Sequence, residues 1–137
     1  NSRLDELQAA ILSVKLNYLD DEIRRRRDVA KRYSDGISNP LIRLPTVAMG
    51  NEHVWHLFVV RTPNRAALQQ YLTDKGVQTV IHYPIPPHKQ HAYKEWCSES
   101  LPITEEIHSE VLSLPMSPVI TENDVESVIG AINGFSL

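Results

Sequence analysis

His-Val-Trp-His-Leu-Phe-Val-Val-Arg, residues 53 to 61, decides how the fold is read. β-Branched and aromatic side chains dominate it, and they suit a packed, pleated surface. In a strand Val54, His56, Phe58 and Val60 share one face, while Trp55, Leu57 and Val59 share the other. Both faces are largely apolar, so this strand is expected to be central. Downstream, Thr62-Pro63-Asn64 starts a helix whose buried side carries Leu68, Tyr71 and Leu72, and Gly76 stops it. A second strand is expected over Val77 to His82. The prolines in Tyr83-Pro84-Ile85-Pro86-Pro87-His88 remove donors and restrict the residues before them, which predicts a stiff loop. Thr104 is placed to cap a short helix through Leu112, and Leu114-Pro115-Met116 reads as a brief edge strand or extended connection. Thr121-Glu-Asn-Asp124 then forms a capping box with aspartate in place of glutamate. Val125, Val128, Ile129 and Ile132 follow at helical spacing, and Gly134 closes the last helix.

Upstream of the decisive strand, Ser2 to about Tyr33 is helical in pattern. Leu4, Leu7, Ile11 and Val14 form one stripe, with Leu12, Leu16, Leu19 and Ile23 beside it. Ser2 is the expected N-cap. The wide apolar arc of the first half predicts burial against two surfaces. Arg24 to Arg27 cannot make one stripe, because successive helical residues point about 100° apart. The pairs Asp20 with Arg24, Asp21 with Arg25 and Glu22 with Arg26 instead predict a solvated, ion-paired face. Gly36, Asn39 and Pro40 end the helical region. The whole reads as one α+β domain over 1–137, with a long N-terminal helix (1–33) and a sandwich over 53–135 in which helices cover a sheet of about three strands.

Composition narrows the function. The chain has 137 residues, 42% of them hydrophobic, enough for one core of ordinary domain size. A net charge of −3 provides no general attraction to nucleic acid or to an anionic membrane surface. No apolar run reaches the roughly 18 to 20 residues that span a bilayer, and a soluble protein is expected. Cys97 is the single cysteine and cannot form an internal disulfide, which fits a reducing, cytoplasmic setting. Asn1 leads straight into the helical pattern without an initiator methionine, so a longer parent polypeptide is expected.

The residues themselves argue against three chemistries. His53 and His56 point to opposite faces of a strand, and His82, His88 and His91 lack a carboxylate or thiol spaced to complete a familiar metal set. Cys97 has no glycine-rich turn or oxyanion hole around it and reads as a buried or incidental thiol. No glycine-rich nucleotide loop is present. What remains is His82-Tyr83-Pro84 with His88, polar aromatic side chains emerging from a strand end onto a proline-stiffened loop. Such a platform suits a ligand-facing wall; alternatively these side chains seal the sheet end.

Four separated stretches resemble one family. They are Asn-Ser-Arg-Leu-Asp-Glu-Leu-Gln-Ala-Ala at 1 to 10, residues 53 to 61, Ile-His-Tyr-Pro-x-Pro-x-His at 81 to 88 with Gln90 and Tyr93, and Leu-Ser-Leu-Pro-Met at 112 to 116. Their order is similar to that of the DegT/DnrJ/StrS family, fold-type I aminotransferases acting on keto sugars attached to nucleoside diphosphates. The resemblance implies the small C-terminal domain of such an enzyme. It implies that Asn1 reaches the phosphate of pyridoxal 5'-phosphate (PLP) in the other subunit of a homodimer, with Arg3 nearby, and that His82, Tyr83 and His88 lie on the substrate side. Trp55 and His56 also resemble family positions, but a central strand assigns them to packing. The cofactor-bearing lysine is expected upstream of Asn1, since none of Lys15, Lys31, Lys75, Lys89 or Lys94 has the matching context; no catalytic residue is assigned within the chain. For the full protein the resemblance implies ping-pong transfer of an amino group from glutamate to a nucleotide-linked keto-deoxysugar, for lipopolysaccharide or another surface polysaccharide. This stretch alone is expected to be inactive, with the apolar arc of its first helix exposed or paired with another copy. A noncatalytic α+β binding or dimerisation module is the alternative.

Overall fold

Asp5 begins the part of the chain described by a computed structural model, which covers residues 5–137. Its carboxylate accepts the Gln8 N–H at 2.8 Å and caps α1 (Glu6–Leu16). Ser2, the expected cap, lies outside the described residues. The single helix expected as far as Tyr33 is in fact two, α1 and α2 (Leu19–Gly36). At their junction the Asn17 and Tyr18 N–H groups bond three residues back, to Val14 and Lys15, and this tightened turn interrupts the regular ladder. α1 buries none of its residues: Leu7, Ile11 and Val14 are 74%, 55% and 61% exposed. α2 instead buries Val29, Ala30 and Tyr33.

Arg24, Arg25 and Arg26 of α2 do not make the expected four-residue pairs. Arg24 pairs with Asp21 at 2.9 Å, one turn back. Arg26 and Arg27 reach across to the carbonyls of His56 and His53, and Arg27 also holds Glu52 at 2.7 Å. Trp55 moreover has a φ of 50°, in the left-handed region, and Val54 is exposed. The decisive strand is accordingly shorter than expected: β1 is Phe58–Arg61. Trp55 still packs on the core, stacking on Phe58 at 5.3 Å.

β1 pairs antiparallel with β2 (Val111–Leu114), Phe58 opposite Leu114 and Val59 opposite Ser113. The remaining sheet contacts are single bridges, Arg43 to Arg61 on one side and Val80 to Ser113 on the other. The expected strand over Val77 to His82 is thereby reduced to one bridged residue, and the expected three-stranded sheet to two strands with a bridge at either edge. β1 is flanked on both sides, as its apolar faces require, and β2 is buried at all four residues. Residues 111 to 114 are therefore an inner strand, whereas the sequence had placed the extended segment at 114 to 116.

α3 (Arg65–Asp74) buries Leu68 and Leu72 and is stopped by Gly76, whose φ of 78° favours glycine. α4 (Pro102–Glu110) starts at Pro102 with Leu101 as its cap, three residues before the expected cap Thr104, and ends before Val111 turns into β2. α5 (Glu122–Asn133) follows the sequence reading: the Thr121–Asp124 capping box is complete, and Val125, Val128 and Ile132 are buried. α5 packs on α2 so closely that a Cβ on Gly36 would lie 2.9 Å from Ile129 Cδ1. Buried Asn39 fastens the two helix ends by donating to the Ile132 and Phe135 carbonyls at 2.7 and 2.8 Å. Tyr33, Phe58, Val60, Leu112 and Ile132 form the centre of the core.

Candidate functional site

The loop after Val80 leaves the sheet at its bridged edge, and three long-range hydrogen bonds fix its course. His82 Nδ1 lies 2.9 Å from the buried Ser113 hydroxyl of β2. The Tyr83 carbonyl accepts a 2.7 Å bond from His108 Nδ1. His88 Nε2 meets Glu105 Oε1 at 3.0 Å. Glu105 and His108 are three residues apart on α4, hence on one face, so a single helix grips the loop at two points. Arg65 of α3 in turn holds the His108 carbonyl.

Beyond His88 the chain makes two short 3-10 turns, Pro87–Lys89 and His91–Trp96. Lys89 closes them by donating to the Cys97 and Glu99 carbonyls, both at 2.8 Å. Cys97 is exposed, an incidental thiol rather than a buried one. Tyr93 and Trp96 stack nearly parallel at 5.1 Å on the outside of this segment.

Of the residues singled out from sequence, His82 and Tyr83 stand together. Their rings meet edge to face at 5.7 Å, with His82 half-buried and Tyr83 66% exposed. The peptide bond between them is cis. His88 is placed differently: it is 5% exposed and its ring is directed at Glu105, so it anchors the loop from inside. That hydrogen bond, aided by the Leu101 N–H, holds the Glu105 carboxyl below its ordinary value. Asn1 and Arg3 lie outside the described residues. His56 is exposed and offers its carbonyl to Arg26, whereas Trp55 packs as expected. Sequence reasoning missed Ser113, Glu105 and His108, whose partners are 31, 17 and 25 residues away. The available signals were a lone hydroxyl inside the apolar run 111–114 and two polar residues at helical spacing after the proline loop.

PLP attached to a lysine needs that amine in an enclosed pocket with an anion-binding cradle for its phosphate. The five lysines are all exposed. Lys31 pairs with Asp35, Lys75 lies over the Tyr71 ring and Lys89 is held by carbonyls. The described residues therefore do not fit a complete PLP seat. Tyr83 faces outward, and its carbonyl is held from behind by His108. Among the described residues no three potential metal ligands cluster, and no helix is long and apolar enough to cross a membrane.

The model of the DegT/DnrJ/EryC1/StrS aminotransferase family matches residues 1–133. The dTDP-3-amino-3,6-dideoxy-alpha-D-galactopyranose transaminase of Aneurinibacillus thermoaerophilus is 62% identical over 98% of the chain, which covers 37% of that protein. A dTDP-3-amino-3,4,6-trideoxy-alpha-D-glucose transaminase of Streptomyces venezuelae is 42% identical over 99% of the chain, again spanning 37% of the relative. Among solved structures, S. venezuelae DesV in complex with a ketimine intermediate superposes with a TM-score of 0.94 at 41% identity, over 97% of this chain and 37% of that one. NtdA of Bacillus subtilis, with bound cofactor PMP, gives 0.87 at 33% identity, over 96% of this chain and 32% of that one. The chain thus spans about a third of the length of these relatives, and across nearly all of its own length it belongs to the DegT/DnrJ/EryC1/StrS aminotransferase family.

Proposed function

We propose that this chain is the C-terminal small domain of a PLP-dependent aminotransferase that moves an amino group from glutamate to a nucleotide-linked keto-deoxysugar. The observation that carries the reading is the match over residues 1–133 to a family whose relatives are named as sugar transaminases. In this reading the parent works as a cytoplasmic homodimer and supplies lipopolysaccharide or another surface polysaccharide. Its carrier lysine belongs to a part of the parent outside this chain, a placement supported by the exposure of all five lysines here.

PLP, when bound, supplies an electron sink for the carbon that bears the transferred nitrogen. The chain's own residues do the rest of what falls to this domain. Tyr83 presents a phenol hydroxyl and His82 an imidazole edge to the nucleotide sugar, both on a backbone pinned by His108. His88 acts through Glu105 by holding the loop in place. By family resemblance Asn1, with Arg3 as a second candidate, would hold the cofactor phosphate of the other subunit.

The test is product formation by the full-length protein. Supplied with PLP, glutamate and a dTDP-linked keto-6-deoxyhexose, it is expected to yield 2-oxoglutarate and an amino sugar in equal amounts, measured by mass spectrometry. Formation of neither, across a panel of nucleotide-linked keto sugars, refutes the assignment in favour of a noncatalytic module.

A further inference from the structure

Within the Leu112-Ser113-Leu114-Pro115-Met116 motif, Ser113 places a hydroxyl in the middle of an apolar strand. Val111, Leu112 and Leu114 around it are buried and apolar, and Ser113 itself is 4% exposed. Its backbone needs no help from the hydroxyl, because its N–H and carbonyl already exchange bonds of 2.8 and 3.2 Å with Val80. An alanine would satisfy the strand equally well, and burying a hydroxyl costs free energy unless the hydroxyl is bonded. Here it is bonded, to His82 Nδ1 at 2.9 Å.

We infer that Ser113 is a positioning residue that orients His82 toward the nucleotide sugar. The inference rests on the aminotransferase reading above. The choice of a hydroxyl follows from the chemistry of the three ring contacts. His108 Nδ1 faces a carbonyl and His88 Nε2 faces a carboxylate, and both partners only accept, so each of those nitrogens carries a proton. A hydroxyl both donates and accepts. Ser113 therefore fixes how the His82 ring is turned without fixing where its proton lies. The opposite edge, Nε2, stays able to donate to or accept from an oxygen of the sugar as substrate and product alternate.

The experiment is steady-state kinetics of the full-length enzyme, varying nucleotide keto sugar and glutamate separately. Ser113→Ala should lower kcat/KM for the sugar about fivefold to tenfold, the size of one neutral hydrogen bond, and leave kcat/KM for glutamate unchanged. Ser113→Thr, which keeps the hydroxyl, should restore most of the loss. In a His82→Gln background Ser113→Ala should add nothing, because the residue acts only through His82. If alanine destabilises the protein beyond use, Ser113→Cys keeps the volume and weakens the bond, and must show the same sugar-selective loss. Equal losses for both substrates, unchanged kinetics, or additivity with His82→Gln overturns the inference while leaving the transaminase reading intact; an inactive wild type defeats both.

Discussion

Replacing Tyr33 by phenylalanine isolates a single hydroxyl at the centre of the core. Tyr33 is fully buried, its ring meets Phe58 edge-on at 5.2 Å, and its hydroxyl donates to the Pro115 carbonyl at 2.9 Å. Phenylalanine keeps the ring contact and the packing, so the transfer and cavity costs stay small. What disappears is one neutral hydrogen bond, and the Pro115 carbonyl loses its partner; together these cost about 1–2 kcal/mol. For a domain of this size that lowers Tm by about 3–8 °C. Tyr33→Ala adds the lost aromatic packing, for a total of about 3–5 kcal/mol. Urea unfolding followed by circular dichroism measures both variants, and an unchanged m-value keeps the comparison between like states. Alkaline pH offers a second check. Burial holds the Tyr33 hydroxyl well above its ordinary value of 10.0, so the unfolded chain ionises first. This contribution is complete below pH 10.0 and is lost as pH rises toward the folded value. Tyr33→Phe should therefore lose stability less steeply than wild type above that point. A phenylalanine variant as stable as wild type, or one with an identical alkaline slope, would refute the role assigned to this hydroxyl.

Glu105→Gln tests the loop anchor. The Glu105 carboxyl is held below its ordinary 4.5, so its contribution is present above that value and lost as pH falls through the lower folded value. Melting curves of variant and wild type should differ at neutral pH and converge in acid; a constant gap would remove His88–Glu105 from the account. Gly36→Ala gains helix propensity but drives a Cβ into Ile129, and overpacking outweighs the gain, for a net loss of about 1 kcal/mol. Ile129→Val should restore part of it, and a stabilised Gly36→Ala would contradict the close approach of α2 and α5. On α1, a Leu7→Ser/Ile11→Ser/Val14→Ser triple variant should abolish concentration-dependent self-association of the isolated chain in sedimentation velocity, because these side chains form its exposed apolar face. A wild-type chain that stays monomeric at every concentration would argue against that face as an interface.

Features encoded within one turn of chain were readable in the sequence. The Thr121–Asp124 box, the Val125–Ile132 stripe and the Gly76 stop each depend on neighbours a few residues away, and each stands as read. Strand lengths were not readable in this way, because a strand exists only where a partner backbone meets it. Val77 to His82 has suitable residues, yet only Val80 meets a partner backbone, at Ser113. Residues 53 to 57 lie outside the ladder, with Trp55 in the left-handed region and the His53 and His56 carbonyls bonded to arginines 26 and 30 positions upstream. The platform itself was visible as His82-Tyr83 before three prolines, but its supports were not. Ser113, Glu105 and His108 acquire meaning only once folding brings them against the loop, and His88, which resembled a substrate contact, proves to be buried among those supports.

The central claim is that this domain is one wall of a sugar aminotransferase site. Nitrogen-15 tracing tests it most directly: full-length protein is incubated with PLP, glutamate labelled at its amino nitrogen and a dTDP-linked keto-deoxysugar, and the sugar product is weighed by mass spectrometry. The account predicts an amino sugar carrying the label, formed by wild type and reduced in Tyr83→Phe and His82→Gln. Unlabelled sugar throughout the panel of nucleotide-linked ketones, or label transfer indifferent to both substitutions, would contradict it.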